Sequence, residues 1–167
     1  SNIICDFEIN SIQAKVFNNV DTVFHLAGIA HDLKENIKTL KKYKLVNVEA
    51  TKKIAEMSAK AGVKRFIFLS SIRASKNQVF DKDNNYGLSK RCAEKHLLEV
   101  SKKTSMNIII VRSPLVYGPQ SKGNLKVMYY AIKKGWFPPL PKDKGNHIMI
   151  HIDDLISCLL LFLNKNI

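Results

Sequence analysis

The sequence predicts an α/β fold, a mostly parallel sheet with helices on both faces. Three observations carry that expectation. Short runs rich in β-branched and aromatic residues recur along the chain, stretches with helical spacing separate them, and turn signals punctuate the joins. At 167 residues the chain has the length of one domain with a sizeable core.

The elements follow in order. Residues 22–26, Thr-Val-Phe-His-Leu, read as a buried strand, and Ala27-Gly28 as the turn leaving it. From about 42 to 61, Val46, Ile54, Met57, Ser58 and Ala61 keep helical spacing, with Gly62 as the C-terminal stop. Residues 65–69 form a second strand, with Ser70 and Ser71 at its carboxyl end. Asn84 or Asn85 caps a helix from about 86 to 103, with Ala93, Leu97 and Val100 on one face. A third strand covers 107–111. Tyr129 and Tyr130 sit in a helix ending near Gly135, and Pro138, Pro139 and Pro141 mark a loop. A shorter fourth strand covers 148–152. Asp153 and Asp154 then open a last helix through about 163, where acidic residues suit the positive helix end.

Composition narrows the class. No apolar stretch is long enough to span a bilayer, and the first residues lack a basic segment followed by an apolar run. Cys5, Cys92 and Cys158 are widely separated, odd in number and without Cys-x-x-Cys spacing, as expected of a reduced, cytoplasmic setting. The formal charge of +13 raises the possibility of a nucleic-acid partner. The excess is nearly all lysine and is spread over most helices, so a solvated surface is the favoured reading, with neither nucleic acid nor membrane as partner. An anionic substrate would account for part of it. His147 and His151 share a face of one strand, but without a third ligand no metal is expected.

The chemistry points to one place. In sheets of this kind ligands collect at the carboxyl ends of strands. Tyr-x-x-x-Lys occurs three times, at Tyr86/Lys90, Tyr129/Lys133 and Tyr130/Lys134. Only the first follows a strand-end serine pair and opens a helix, with tyrosine and lysine one turn apart on one face. A phenol titrates too high for proton exchange at neutral pH, and a neighbouring ammonium is expected to lower it. A serine hydroxyl across the cleft holds the oxygen being oxidised or reduced. Such a set suits carbinol–carbonyl interconversion, with hydride passing to or from a nicotinamide. The alternative is an exposed helix-start tyrosine beside a solvated lysine.

A family resemblance covers nearly the whole chain. "VDTVFHLAG", "VNVEATKKIAEMSAKAGVKRFIFLSS", "YGLSKRCAE", "VRSPLVYGP" and "IHIDDL" stand in the order and register of the extended short-chain dehydrogenases/reductases. The chain resembles the NAD-dependent epimerase/dehydratase type that acts on nucleotide sugars. The resemblance implies a Rossmann-like doubly wound parallel sheet, lacking the N-terminal strands and most of the C-terminal substrate lobe. Residues 1–167 then read as a partial NAD-binding domain, with the start of the substrate-binding region at about 120–147.

By the same resemblance, Ser71, Tyr86 and Lys90 are the catalytic set. Asp6 lies near the adenine, while Leu26, Ala27, Gly28, Ile29 and Ala30 run along the cofactor. Asn47 supports the site, Pro114 faces the nicotinamide, and Ser71, Asn124 and Leu125 contact the nucleotide-sugar substrate, expected to be UDP-linked. NAD is the implied cofactor, with NADP the alternative. The activity implied is 4-epimerisation or 4-keto reduction. A non-catalytic relative that senses a dinucleotide is the competing reading.

Departures from the family pattern sharpen this. Ser71-Ile72-Arg73 stands where dehydratases carry Thr-Asp-Glu, which argues against 4,6-dehydration. Ala50 replaces a common glycine, and His147 an arginine that often reaches the nucleotide. No Gly-x-x-Gly-x-x-Gly turn is present. A middle fragment is therefore expected, inactive by itself, whose open apolar edge at 22–26 either pairs with another copy in a homo-oligomer or is covered by the refolded N-terminal segment.

Overall fold

Phe66, Ile67 and Phe68 are completely buried, although alternate residues of a strand face opposite ways. That pattern belongs to a strand covered on both faces, and it places β2 (Arg65–Ser71) at the centre of its sheet. The structure, a computed structural model, describes residues 12–30, 37–75, 85–119, 124–136 and 148–164. Two compact units divide the chain, 1–112 and 113–167.

In the first unit, β1 (Thr22–His25), β2 and β3 (Asn107–Ser113, whose last residue falls in the second unit) form a sheet in the order β1-β2-β3. The β1–β2 pair is parallel, with Thr22 opposite Arg65 and His25 opposite Phe68. Among the described residues β1 is an edge strand. The strand starts are tied together: the Asp21 carbonyl accepts from Lys64 and Arg65 N–H groups, and the Lys64 carbonyl accepts from Asn107.

The helix expected from about residue 42 is longer. It comprises α1 (Ile37–Lys42), a π-helical stretch (Tyr43–Ala50) and α2 (Thr51–Lys60) without a break. Its end is a double C-terminal hydrogen-bond motif. Val63 N–H reaches the Ser58 carbonyl at 3.0 Å and Gly62 N–H the Ala59 carbonyl at 3.1 Å. Gly62 adopts φ +82°, a conformation that suits glycine.

A short 3-10 turn (Ile72–Ala74) follows β2, and α3 (Asn85–Lys103) returns along the sheet. Ala93, Leu97 and Val100 of α3 are buried on one face, as their spacing predicts. They join Phe17, Ile54, Ala55, Val63, Phe66, Phe68 and Met106 in a single apolar core.

The second unit pairs β4 (Leu115–Tyr117) in parallel with β5 (Met149–His151), Leu115 lying opposite Met149. It also holds α4 (Asn124–Lys133) and α5 (Ile152–Leu161). The N-cap of α5 is His151, whose Nδ1 accepts the Asp153 N–H at 3.3 Å. Asp153 and Asp154 occupy the first turn, where their charge suits the helix dipole.

Candidate functional site

The carboxyl end of β2 meets α3 through consecutive residues. The Leu69 carbonyl accepts a hydrogen bond from Lys90 Nζ at 3.0 Å. Ser70 Oγ donates to Glu94 Oε1 at 2.6 Å. The Ser71 hydroxyl faces the Tyr86 phenol closely enough to pull its pKa down against burial. Tyr86, Lys90 and Glu94 stand four residues apart, so one stripe of α3 meets three successive strand residues.

The serine pair is thereby divided. Ser70 is buried and committed to Glu94, while Ser71 reaches the half-buried Tyr86. Ser71 also caps the following turn by accepting the Arg73 N–H at 3.3 Å. Arg91 holds the far side of that turn through the Ala74 and Ser75 carbonyls.

Lys90 is 4% exposed, unusual for a lysine. Its ammonium lies 4.6 Å from the centre of the Phe68 ring, a cation–π arrangement. Burial lowers its pKa to about 8, against the opposing pull of Glu94. At neutral pH the group is still mainly protonated. Behind Phe68 stacks His25, with ring centroids 5.7 Å apart. His25 Nε2 and Thr51 Oγ1 are hydrogen-bonded at 2.8 Å. Burial, and secondarily the Lys90 charge, lower this imidazole to about 4, so it is neutral at pH 7.

One sequence expectation needs correction here. Lys90 does not bring the Tyr86 phenol below its ordinary value. Burial raises it, and the opposing influences are the Ser71 hydroxyl and the Arg73 charge, with Tyr43 raising it further. The ammonium is directed at the Leu69 carbonyl and the Phe68 ring, so it is not spent on the phenol. Tyr86 is accordingly a protonated phenol at neutral pH.

Asn47 sits on the π-helical stretch, a geometry that recurs at functional sites. Its Oδ1 accepts the Ile29 N–H at 2.8 Å, and its Nδ2 donates to the Ile29 carbonyl and to Ser89 Oγ, both at 3.0 Å. Ser89 in turn donates to the Tyr86 carbonyl at 2.7 Å. One amide thus ties the loop after β1 to the start of α3. A Cβ on Gly28 would stand 3.2 Å from both Asn47 Oδ1 and Lys90 Nζ, so the absent side chain is what lets these groups approach. Leu26, Ala27, Gly28 and Ala30 are exposed, and Ile29 is half-buried.

Of the residues expected from sequence, Ser71, Tyr86, Lys90, Asn47 and 26–30 therefore belong to the first unit and connect as above. Pro114 lies between β3 and β4 in the second unit, where Asn124 and Leu125 open α4. Asp6 and His147 lie outside the described residues. Sequence reasoning missed Glu94, its bidentate partner Arg112, and the His25–Thr51 pair. A signal for Glu94 was present, since the glutamate continues the Tyr-x-x-x-Lys spacing by one more turn. Among the described residues no group of three or more His, Cys, Asp or Glu is placed to hold a metal, and no helix is long and apolar enough to cross a membrane.

Residues 2–167 match the model of the "NAD dependent epimerase/dehydratase family". The chain is 31% identical to a UDP-glucose 4-epimerase of Vibrio cholerae, over 92% of this chain and 53% of the relative. It is 29% identical to a UDP-2-acetamido-2,6-beta-L-arabino-hexul-4-ose reductase of Pseudomonas aeruginosa, over 85% and 37% respectively. The solved structure of MoeE5 in complex with UDP-glucuronic acid and NAD superimposes with a TM-score of 0.78 at 23% identity, covering 99% of this chain and 59% of that one. That likeness establishes the Rossmann-like parallel fold. The chain spans about half the length, or less, of the curated relatives it matches.

Proposed function

The chain belongs to the NAD-dependent epimerase/dehydratase family, and on that premise we propose that the complete protein is an NAD-dependent nucleotide-sugar 4-epimerase or 4-keto reductase. The observation that carries this reading is the joint of α3 with the carboxyl end of β2, where the buried Lys90 donates to the Leu69 carbonyl and the Ser71 hydroxyl faces the Tyr86 phenol one helical turn away. Kinship with a 4-epimerase and a reductase supports both outcomes equally.

The residues present fit a dinucleotide. The small, exposed segment 26–30 follows β1, and its backbone is open to close approach beside Gly28. In this reading the segment 26–30, Asn47, Tyr86, Lys90, Pro114 and Asp6 hold NAD, with NADP the alternative. Lys90 has ammonium hydrogens beyond the one given to Leu69. When bound, the nicotinamide supplies the hydride chemistry at C4 of the sugar.

The protein's own part is proton transfer and positioning. Ser71 holds the C4 oxygen by hydrogen bonding. Tyr86, protonated in its buried setting, donates its phenolic proton to a C4 carbonyl oxygen during reduction. In the oxidative direction the phenolate form of Tyr86 takes the proton from the C4 hydroxyl and becomes the neutral phenol. The Ser71 hydroxyl and the Arg73 charge, which both lower the phenol against its burial, favour phenolate once the proton has left. Asn124 and Leu125 contact the UDP-sugar diphosphate.

Tyr86→Phe in the complete protein tests the assignment. Turnover is expected to fall by about 10²–10⁴-fold, the usual worth of a positioned acid–base group, with NAD affinity nearly unchanged. A variant of full activity would remove the mechanism.

A further inference from the structure

Two of the three α3 residues that meet the end of β2 belong to the proposed reacting set. The third, Glu94, does not. It is 4% exposed, and a carboxylate so buried needs strong partners. Arg112 of β3 supplies them through two parallel hydrogen bonds, Nε to Oε1 at 2.9 Å and a terminal nitrogen to Oε2 at 2.7 Å. Oε1 also accepts the Ser70 hydroxyl at 2.6 Å. One carboxylate thus joins α3, β2 and β3, and its strand contact is the residue adjoining Ser71.

We propose that Glu94 is a positioning residue for the Ser71–Tyr86–Lys90 set. Clamped by Arg112, it locks Ser70, and with it the strand end bearing Ser71, against the helix bearing Tyr86 and Lys90. The inference rests on the reading of those three residues as the reacting set. Without this tie the end of β2 can slide along α3, and a displacement of about 1 Å in a reacting group costs on the order of 10²-fold in rate.

Charge acts in the same direction. Glu94 favours the ammonium form of Lys90, which burial opposes. The titratable groups facing Lys90 are Glu94 on its own helix and His25 on β1, and Arg112 on β3 offsets part of the Glu94 charge. Tyr86 is faced by Ser71, Arg73 and Tyr43.

The test uses the complete protein with Glu94→Ala, Glu94→Gln and Ser70→Ala, each first shown to be folded by circular dichroism. For Glu94→Ala, kcat for a UDP-hexose is expected to fall roughly tenfold to a hundredfold with KM nearly unchanged. Glu94→Gln, which can still accept the Ser70 hydroxyl, is expected to lose less. NMR titration of the Lys90 ammonium, which needs no turnover, is expected to show a lower pKa in both Glu94 variants and an unchanged one in Ser70→Ala. Folded Glu94 variants with parental kcat and parental Lys90 titration would overturn the proposal. Should Glu94→Ala fail to fold, the Glu94→Gln pair of readouts decides alone. If Tyr86→Phe proves fully active, the catalytic reading falls, while the Lys90 titration still decides whether Glu94 governs that lysine.

Discussion

His25 shows how a single buried side chain gives the fold its pH dependence. Its imidazole is enclosed by Phe66, Phe68 and Thr51 and titrates near 4 in the folded chain, against 6.5 for an unperturbed histidine. Between those values the unfolded chain binds the additional proton, so stability rises with pH through this window. It is lost as pH falls from 6.5 towards 4. At about 1.4 kcal/mol per unit, the His25 share approaches about 3 kcal/mol. Urea midpoints across this range should therefore drop steeply for the parent and much less for His25→Gln. Equal slopes would mean that other groups set the acid limb. Lys90 acts on the other side of neutrality. Its depressed folded pKa makes stability rise again as pH climbs from about 8 to 10.5, which means the buried ammonium destabilises the fold at neutral pH.

At the scale of elements, the π-helical stretch Tyr43–Ala50 determines which side chains reach the site. Val46 and Ile54 are buried, as their spacing predicts, and so are Tyr43, Asn47 and Thr51. Ala61 is exposed and Met57 only half-buried, contrary to a uniform helical face. Hydrophobic spacing finds apolar core positions, but it is blind to an asparagine buried because it carries three hydrogen bonds. Removing that amide should matter twice. Asn47→Ala leaves Ile29 and Ser89 without their side-chain partner, which is expected to cost about 1–3 kcal/mol and to weaken NAD binding by loosening the segment 26–30. Lys52→Ala, on the exposed side of α2, serves as control and should change neither. An Asn47→Ala protein with parental stability and NAD affinity would show that the loop is held by other means.

For the whole molecule, the strand positions and the candidate strand-end site were legible because both follow from patterns short in sequence. Alternating runs located β1, β2 and β3, and the serine pair before Tyr-x-x-x-Lys located the joint of β2 with α3. What escaped was long-range pairing. Nothing local announces that Arg112 reaches Glu94 or that His25 meets Thr51, since each partner lies on a different element. The short β4, tucked after Pro114, has too few residues to show a strand period. The choice of Ser71 over Ser70 came from the family resemblance, and the structure adds a physical reason: Glu94 already occupies Ser70.

The central claim, hydride chemistry at a sugar C4 with Ser71, Tyr86 and Lys90 handling the proton, is tested most directly by an isotope. UDP-hexoses and UDP-N-acetylhexosamines carrying deuterium at C4 would be incubated with the complete protein and NAD, and C4 followed by NMR. The account predicts that at least one sugar either inverts at C4 with the deuterium retained or passes its deuterium to the nicotinamide, and that Tyr86→Phe suppresses the event. A folded protein that binds NAD yet leaves C4 and its label untouched in every sugar would contradict it, leaving a fold that binds a dinucleotide without acting on the sugar.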